Sequence, residues 1–286
     1  GPDPEVEHVA TQFESFGEQA FGRILRETLD QLYDGQHTGR YRWDQLHKTE
    51  KTHCGTLVEI NLQRALELAD GKILDYQVDG IEVDCKFSQD LCKWMIPPEA
   101  HEQVCLGLWA QDASAVWRAG VFRARHELLS PPNRDAKRTL TAEGRQAIRW
   151  LFSQNDQQLP PNVLLQLPEQ DVEAIFACDS GQKRVNELFR RALGRRITRG
   201  VVATLAQQDD YMKRVRYNGG ARDQLRGEGI VILGDYHSHR AVAEALNVEI
   251  PEHGESVSVR LCPASKQFKG PSVFLDEARW RVAGPT

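Results

Sequence analysis

The stretch ILDYQVDGIEVDCKF, residues 73–87, sets Asp79-Gly80 between two short apolar runs. Asp-Gly in that setting is among the strongest two-residue hairpin signals, because a type I′ turn needs positive φ at both central positions. A two-residue loop leaves the register no freedom: Val78 faces Ile81, Gln77 faces Glu82 and Asp75 faces Asp84. The Asp75/Asp84 pair falls at a non-hydrogen-bonded site, where Cβ atoms approach to roughly 4.5–5.5 Å. Like charges at that spacing destabilise a sheet unless something positive lies between them. Lys86 projects from the face of Asp84, whereas Ile81, Val83, Cys85 and Phe87 point the other way into a core.

The pattern therefore calls for a divalent cation. Two carboxylates with room left for water suit Mg²⁺, which takes few protein ligands. A lysine beside them can orient an attacking water and offset charge on a scissile phosphate. A lone D-x-K is more often a solvated hairpin face; the opposed aspartate and the apolar alternate face set this one apart. Glu59, on the helical pattern that precedes the hairpin, is the candidate fourth member. Thr56-Leu57-Val58-Glu59 is equally a capping box, with Glu59 bonded back to Thr56, and spacing leaves both readings open.

Helical spacing predicts one amphipathic helix over residues 13–33 and another over 56–70 with Thr56 as its cap. Residues 37–55 read as loop or short helix. VCLGLWA and AVWRAGVFRA read as two strands, and TAEGRQAIRWLF as a helix. SQNDQQLPPN, residues 153–162, has almost nothing to bury and is expected to link a domain spanning 1–152 to one spanning 163–286. Beyond it, RVNELFRRALG, the run 198–215 and GGARDQLR read as three short helices. Two strands follow, EGIVILG and ESVSVRLCPA, the pattern of a winged helix-turn-helix. The fold class expected is α/β: a mixed sheet with flanking helices, then the winged-helix domain.

No apolar run approaches the roughly 18 residues of a membrane span. The opening residues show no basic-then-apolar leader, and six scattered cysteines without metal spacing fit reduced thiols, so the expected location is the cytoplasm. Net charge is −5, yet residues 182–226 hold twelve basic against four acidic side chains, a local charge of +8. The first thirty residues hold seven acids and two arginines. Such a chain can bind phosphate at one place and a cation at another. Within the basic block, Lys213, Arg214 and Arg216 follow a helix, and Arg222 and Arg226 share a face at i and i+4; DNA contact is the expectation. His47, Lys48 and Lys51, before the Glu59 helix, are candidates for backbone contact. Leu32-Tyr33-Asp34-Gly35 has the outline of a nucleotidyl-transfer motif, but leucine holds the nucleophile position, so a helix end and turn is the better reading. His237-Ser238-His239 reads as an exposed loop.

Taken together, ETLDQLYDGQHTGR, DQLHKTEKTHCGTLVEINL, VDCKF, RVNELFRRALGR, ATLAQQDDYMKRVR and GGARDQLRGEGIVILG resemble the NaeI-like type II restriction endonucleases, to about Ala264. The family's Glu, Asp, Asp-x-Lys pattern falls on Glu59, Asp75, Asp84 and Lys86, with Cys85 between the last two. The resemblance implies a PD-(D/E)xK endonuclease domain and a winged-helix domain like that of the catabolite activator protein. It further implies a homodimer cleaving both strands of double-stranded DNA with Mg²⁺ and activated by a second DNA copy. Asp75, Asp84, the Cys85 backbone carbonyl and Glu59 would then serve the metal, and Lys86 the attacking water. An inactive winged-helix regulator, and a nicking or topoisomerase-like enzyme, are the alternatives.

Overall fold

The computed structural model describes residues 1–284. Two compact units emerge: one joins Gly1–Leu32 to Arg42–Pro161, and the other joins Tyr33–Tyr41 to the chain from Asn162 onward. Within the stretch expected as a linker, Gln157–Gln158 pairs with Val116 and Trp117, and Leu159 is buried. The division between units falls after Pro161.

In the first unit, α1 (Pro4–Glu14) begins where the Asp3 carboxylate accepts from the Glu5 and Val6 N–H groups at 3.0 and 3.2 Å. The single helix expected over 13–33 is broken: Gly17 takes a φ of +89°, and α2 (Glu18–Tyr33) starts afresh after it. A short α3 (Gly35–Thr38) follows and, like the rest of Tyr33–Tyr41, belongs to the second unit. Asp34, with a φ of 49° and its carboxylate on His37, forms the turn expected after Leu32, which is itself buried. Helix α4 (Lys48–Leu66) starts eight residues earlier than its expected cap at Thr56. Cys54, Val58, Leu62 and Leu66 make one buried stripe that outweighs the local capping signal. The N-terminal tie is instead the Glu50 side chain accepting from His47 N–H at 2.9 Å.

The seven-stranded sheet runs β1 (Ala69–Asp70), β2 (Tyr76–Val78), β3 (Ile81–Ser88), β4 (Val104–Gln111), β5 (Val116–Arg123) and β6 (Arg149–Trp150), with β7 (Gln157–Gln158) also on β5. β3 and β4 are parallel and the other pairs antiparallel, which makes the sheet mixed. β4 and β5 are the two strands expected there. The helix expected over TAEGRQAIRWLF stops after α5 (Ala142–Gln146), because Ile148 and Trp150 pack over the bare backbone of Gly120 and draw the chain into β6. Trp94, in the β3–β4 crossover, lies on Gly107, donates to the Leu108 carbonyl at 2.8 Å and stacks on Phe122. Asp84 and Lys86, both on β3, are thus anchored at the centre of a packed sheet.

The second unit holds α6 (Val163–Gln166), α7 (Glu169–Phe176), α8 (Gly181–Arg191), β8 (Arg196–Ile197), α9 (Arg199–Ala206), α10 (Ala221–Gln224), β9 (Ile230–Leu233), α11 (His237–Ala245), β10 (Ser256–Pro263), β11 (Val273–Leu275) and β12 (Ala278–Val282). The run 198–215 is not one helix: Gln207 turns left-handed at φ 51° after α9, and Tyr211–Arg214 is a separate 3-10 turn. β10 pairs antiparallel with β8, β9 and β12, giving the order β11-β12-β10-β8 with β9 attached to β10. Leu188, Phe189, Val202, Leu205 and Ile232 lie in its core. His237-Ser238-His239, expected as a loop, opens α11, with His239 Nδ1 accepting from Gly234 N–H at 2.9 Å.

Candidate active site

The hairpin register is the expected one, with Val78 opposite Ile81, Gln77 opposite Glu82 and Tyr76 opposite Val83. Asp79 and Gly80 take φ values of 50° and 81°, both in the left-handed region that a type I′ turn requires. β2 ends at Tyr76, one residue short of continuing the ladder at Asp75. There the Asp75 carboxylate accepts from the Cys85 N–H at 2.7 Å, taking the place of the missing strand. That substitution draws the Asp75 carboxylate to β3 beside Asp84.

Asp84 is only 4% exposed, and its Oδ2 is buried without a hydrogen-bond partner. Lys86 Nζ stands 3.2 Å from that oxygen, out of hydrogen-bonding alignment, and makes a long hydrogen bond of 3.5 Å to Oδ1. Burial, partly offset by Lys86 and reinforced by Asp75, pushes the Asp84 carboxyl up to about 6. Glu59 is pushed up to about 7 by burial and by the Asp75 carboxyl within hydrogen-bonding reach, with Lys86 opposing. Burial alone would lower Lys86; Asp84 and Asp75 outweigh it and raise its pKa above the ordinary lysine value. Glu59, Asp75, Asp84 and Lys86 therefore lie in one electrostatic cluster. Glu59 joins it because the early start of α4 removes it from any capping box.

Two further hairpin residues make contacts that sequence reasoning passed over. The Tyr76 hydroxyl donates to the Glu59 main-chain carbonyl at 2.6 Å. Glu82 accepts from the Ile73 N–H at 2.5 Å and holds the bend leading into Asp75, while its Oε2 is buried and unpartnered. Glu82 was visible as a charge facing Gln77, but its partner arises only from that bend.

His47, Lys48 and Lys51 gather at the start of α4, roughly 12–18 Å along the helix from Glu59. Lys213 and Arg216 are exposed, as is Arg226. Arg214 is half-buried and donates to the Gln208 side chain at 2.7 Å. Arg222 and Arg226 do not share a continuous helix. They meet instead over the Tyr217 ring, at 5.6 and 5.7 Å, with Arg222 also donating to the Ile232 carbonyl at 2.6 Å. Much of the basic block is bound within the protein: Arg190 pairs with Glu187 and Glu228, and Arg191 with Glu187 and Asp171. The acidic N-terminal stretch likewise finds its cations in the chain, with Asp3 and Glu5 on Arg123, and Glu7 and Glu14 on Arg149.

Among the described residues the six cysteines are free, no helix is long and apolar enough to cross a membrane, and no three His, Cys, Asp or Glu side chains form a ready-made metal cage. A site that uses two carboxylates and water needs no such cage. The unpartnered Asp84 oxygen and the acid-rich cluster around it fit a hard, oxygen-seeking cation.

The model of the family described as "Restriction endonuclease NaeI" matches residues 9–286. The chain is 47% identical over 293 residues to the type II restriction enzyme NaeI of Lentzea aerocolonigenes, covering 99% of this chain and 92% of that one. With a family match across nearly its whole length and a relative so similar end to end, the chain belongs to the NaeI restriction endonuclease family.

Proposed function

We propose that this protein is a Mg²⁺-dependent type II restriction endonuclease. Acting as a homodimer, it cuts both strands of a specific palindromic site in double-stranded DNA, and a second DNA copy bound by its C-terminal unit activates it. The observation that carries the reading is the buried, unpartnered Asp84 oxygen among three acidic side chains and one lysine. Asp75, Asp84 and the Cys85 carbonyl would hold Mg²⁺, with Glu59 in support. A residue's N–H and C=O face the same neighbour in a ladder, so the Cys85 carbonyl looks toward the edge where Asp75 takes its N–H. When bound, the ion would supply Lewis acidity at the scissile phosphate and lower the pKa of the attacking water. Lys86, held charged by the two aspartates, donates: it orients the water and neutralises charge developing on the phosphate. A mixed sheet with D-x-K on its central strand supports the PD-(D/E)xK assignment.

Helix, strand, helix, short helix and two strands, with β10 between β8 and β9, is the order that supports a winged helix. α11 lies between β9 and β10. A palindrome is read by a two-fold dimer whose two sites address both strands. The rival reading, an inactive DNA-binding regulator, is disfavoured by retention of Glu59, Asp75, Asp84 and Lys86 in one cluster. Digesting plasmids of known sequence with Mg²⁺ tests the proposal. Cutting at a fixed sequence, with one-site plasmids resisting until a second site is added, is expected; specific binding without cutting would establish the regulator instead.

Two further outcomes follow. Arg216→Ala should reduce the slope of log affinity against log salt by about one and weaken all sequences alike, as loss of a phosphate contact does. Arg222→Ala should act through thermal stability instead, because its guanidinium is committed to Ile232 and Tyr217. The second outcome concerns pH. Glu59 titrates at about 7 in the fold against 4.5 for the free side chain, so folding favours its neutral form. Its stabilising contribution is complete below about 4.5 and is lost as pH rises through about 7. Thermal midpoints in chelator should therefore fall from pH 5 to pH 8, with Asp84 adding in the same direction. Glu59→Gln should flatten that fall, and Mg²⁺ should reverse it, since binding selects the ionised carboxylates.

A further inference from the structure

We propose that Tyr76 is a positioning residue for cleavage, its hydroxyl setting the Glu59 carboxylate against the two aspartates. The inference rests on the endonuclease reading and names a member of that site which the D-x-K pattern does not include. Tyr76 is fully buried, and its hydroxyl reaches the Glu59 carbonyl at 2.6 Å. A buried hydroxyl needs a partner, and a mid-helix carbonyl has a second lone pair beyond the one used by the helix ladder. In the chain Tyr76 follows Asp75, and across the hairpin it stands opposite Val83, the residue before Asp84. One side chain thus ties the backbone of Glu59 to the strand ends that carry Asp75 and Asp84.

The tie matters because α4 and the hairpin are separate elements. Besides apolar packing of Val58 and Leu62 and the Gln63 amide donating to Asp70 one turn on, this hydrogen bond ties the Glu59 turn itself to the hairpin. By pleat alternation Tyr76 belongs with Val83 and Cys85 on the apolar side, so the anchor lies outside the space that water and phosphate would occupy. Partners that orient ligating carboxylates are worth 10- to 100-fold in activity or metal affinity, and a displacement near 1 Å can cost about 10²-fold.

The test is Tyr76→Phe in the full-length protein, which keeps the ring and removes only the hydroxyl. Expected is a fall of roughly 10- to 100-fold in kcat for Mg²⁺-supported plasmid cleavage, with a higher half-saturating Mg²⁺ concentration. KM for DNA and binding measured in Ca²⁺ should stay unchanged. In a Glu59→Ala background the same change should cost nothing more, because the residue it positions is gone. Wild-type kcat and Mg²⁺ dependence in Tyr76→Phe would overturn the assignment, and so would an undiminished further loss in the Glu59→Ala background. If the unaltered protein fails to cut with Mg²⁺, the endonuclease reading falls and takes this one with it; cutting by the unaltered protein with no effect at Tyr76 removes this one alone.

Discussion

Asp84→Ala is expected to abolish cleavage while leaving DNA binding intact. Removing this carboxylate deletes the oxygen that is buried without a hydrogen-bond partner, and it deletes the nearest counter-charge of Lys86. The reaction loses an ion-holding group and the lysine loses its orientation, so kcat should drop on the order of 10³-fold or more. Ground-state affinity for DNA comes mainly from cations meeting phosphates, and one acidic group fewer weakens none of them. In chelator the variant should bind DNA at least as tightly as the wild type, since a negative charge near the phosphates is gone. Folding should not suffer. The wild-type carboxylate is held at about 6 by burial, which disfavours its charged form, so a small apolar side chain relieves that strain near neutral pH. Binding by gel shift in chelator and cleavage in Mg²⁺ separate the two effects. Loss of binding in chelator, or cleavage within about 10-fold of wild type, would refute this division of labour.

The hairpin was legible because its signal is local. A type I′ turn fixes register within two residues, which sets Asp84 and Lys86 on one face and brings Asp75 to the end of the ladder, where the Cys85 N–H holds its carboxylate. Glu59 was half legible. Thr56 and Glu59 have a capping-box spacing, and only the buried stripe from Cys54 to Leu66, a tertiary property, shows that the helix starts at Lys48. The pairs that Arg190 makes with Glu228 and Arg191 with Asp171 could not be read from the chain, since those partners lie far away in sequence. Composition reports a charge but not what it meets in the fold. The same limit hid Tyr76, whose aromatic ring suits a strand core while its hydroxyl finds a helix carbonyl 17 residues earlier. Gly17 and Ile148-Arg149-Trp150 show a related effect: helical periodicity ran through both, and backbone geometry or sheet pairing won locally.

Asp112→Ala is expected to be the most destabilising single change away from the catalytic cluster. Arg26 on α2 is 8% exposed and Asp112 in the β4–β5 turn 5% exposed, and the pair is bidentate, with Nη1 to Oδ1 at 2.6 Å and Nη2 to Oδ2 at 3.1 Å. Asp30 meets the same guanidinium through Nε and Nη2, but it is nearer the surface. Removing Asp112 leaves a desolvated guanidinium with only that outer partner, and breaking a buried pair from one side costs about 3–5 kcal/mol. In a unit of this size the loss should lower the thermal midpoint by roughly 6–20 °C. Removing both partners tests the cause. Arg26→Met with Asp112→Leu takes away the stranded charge and fills the space with apolar atoms, so the double variant should regain much of the loss, because a packed hydrophobic pair is often as stable as a buried ion pair. Equal midpoints for the single and double variants would mean that the single change acts through lost packing at the β4–β5 turn rather than through an uncompensated charge.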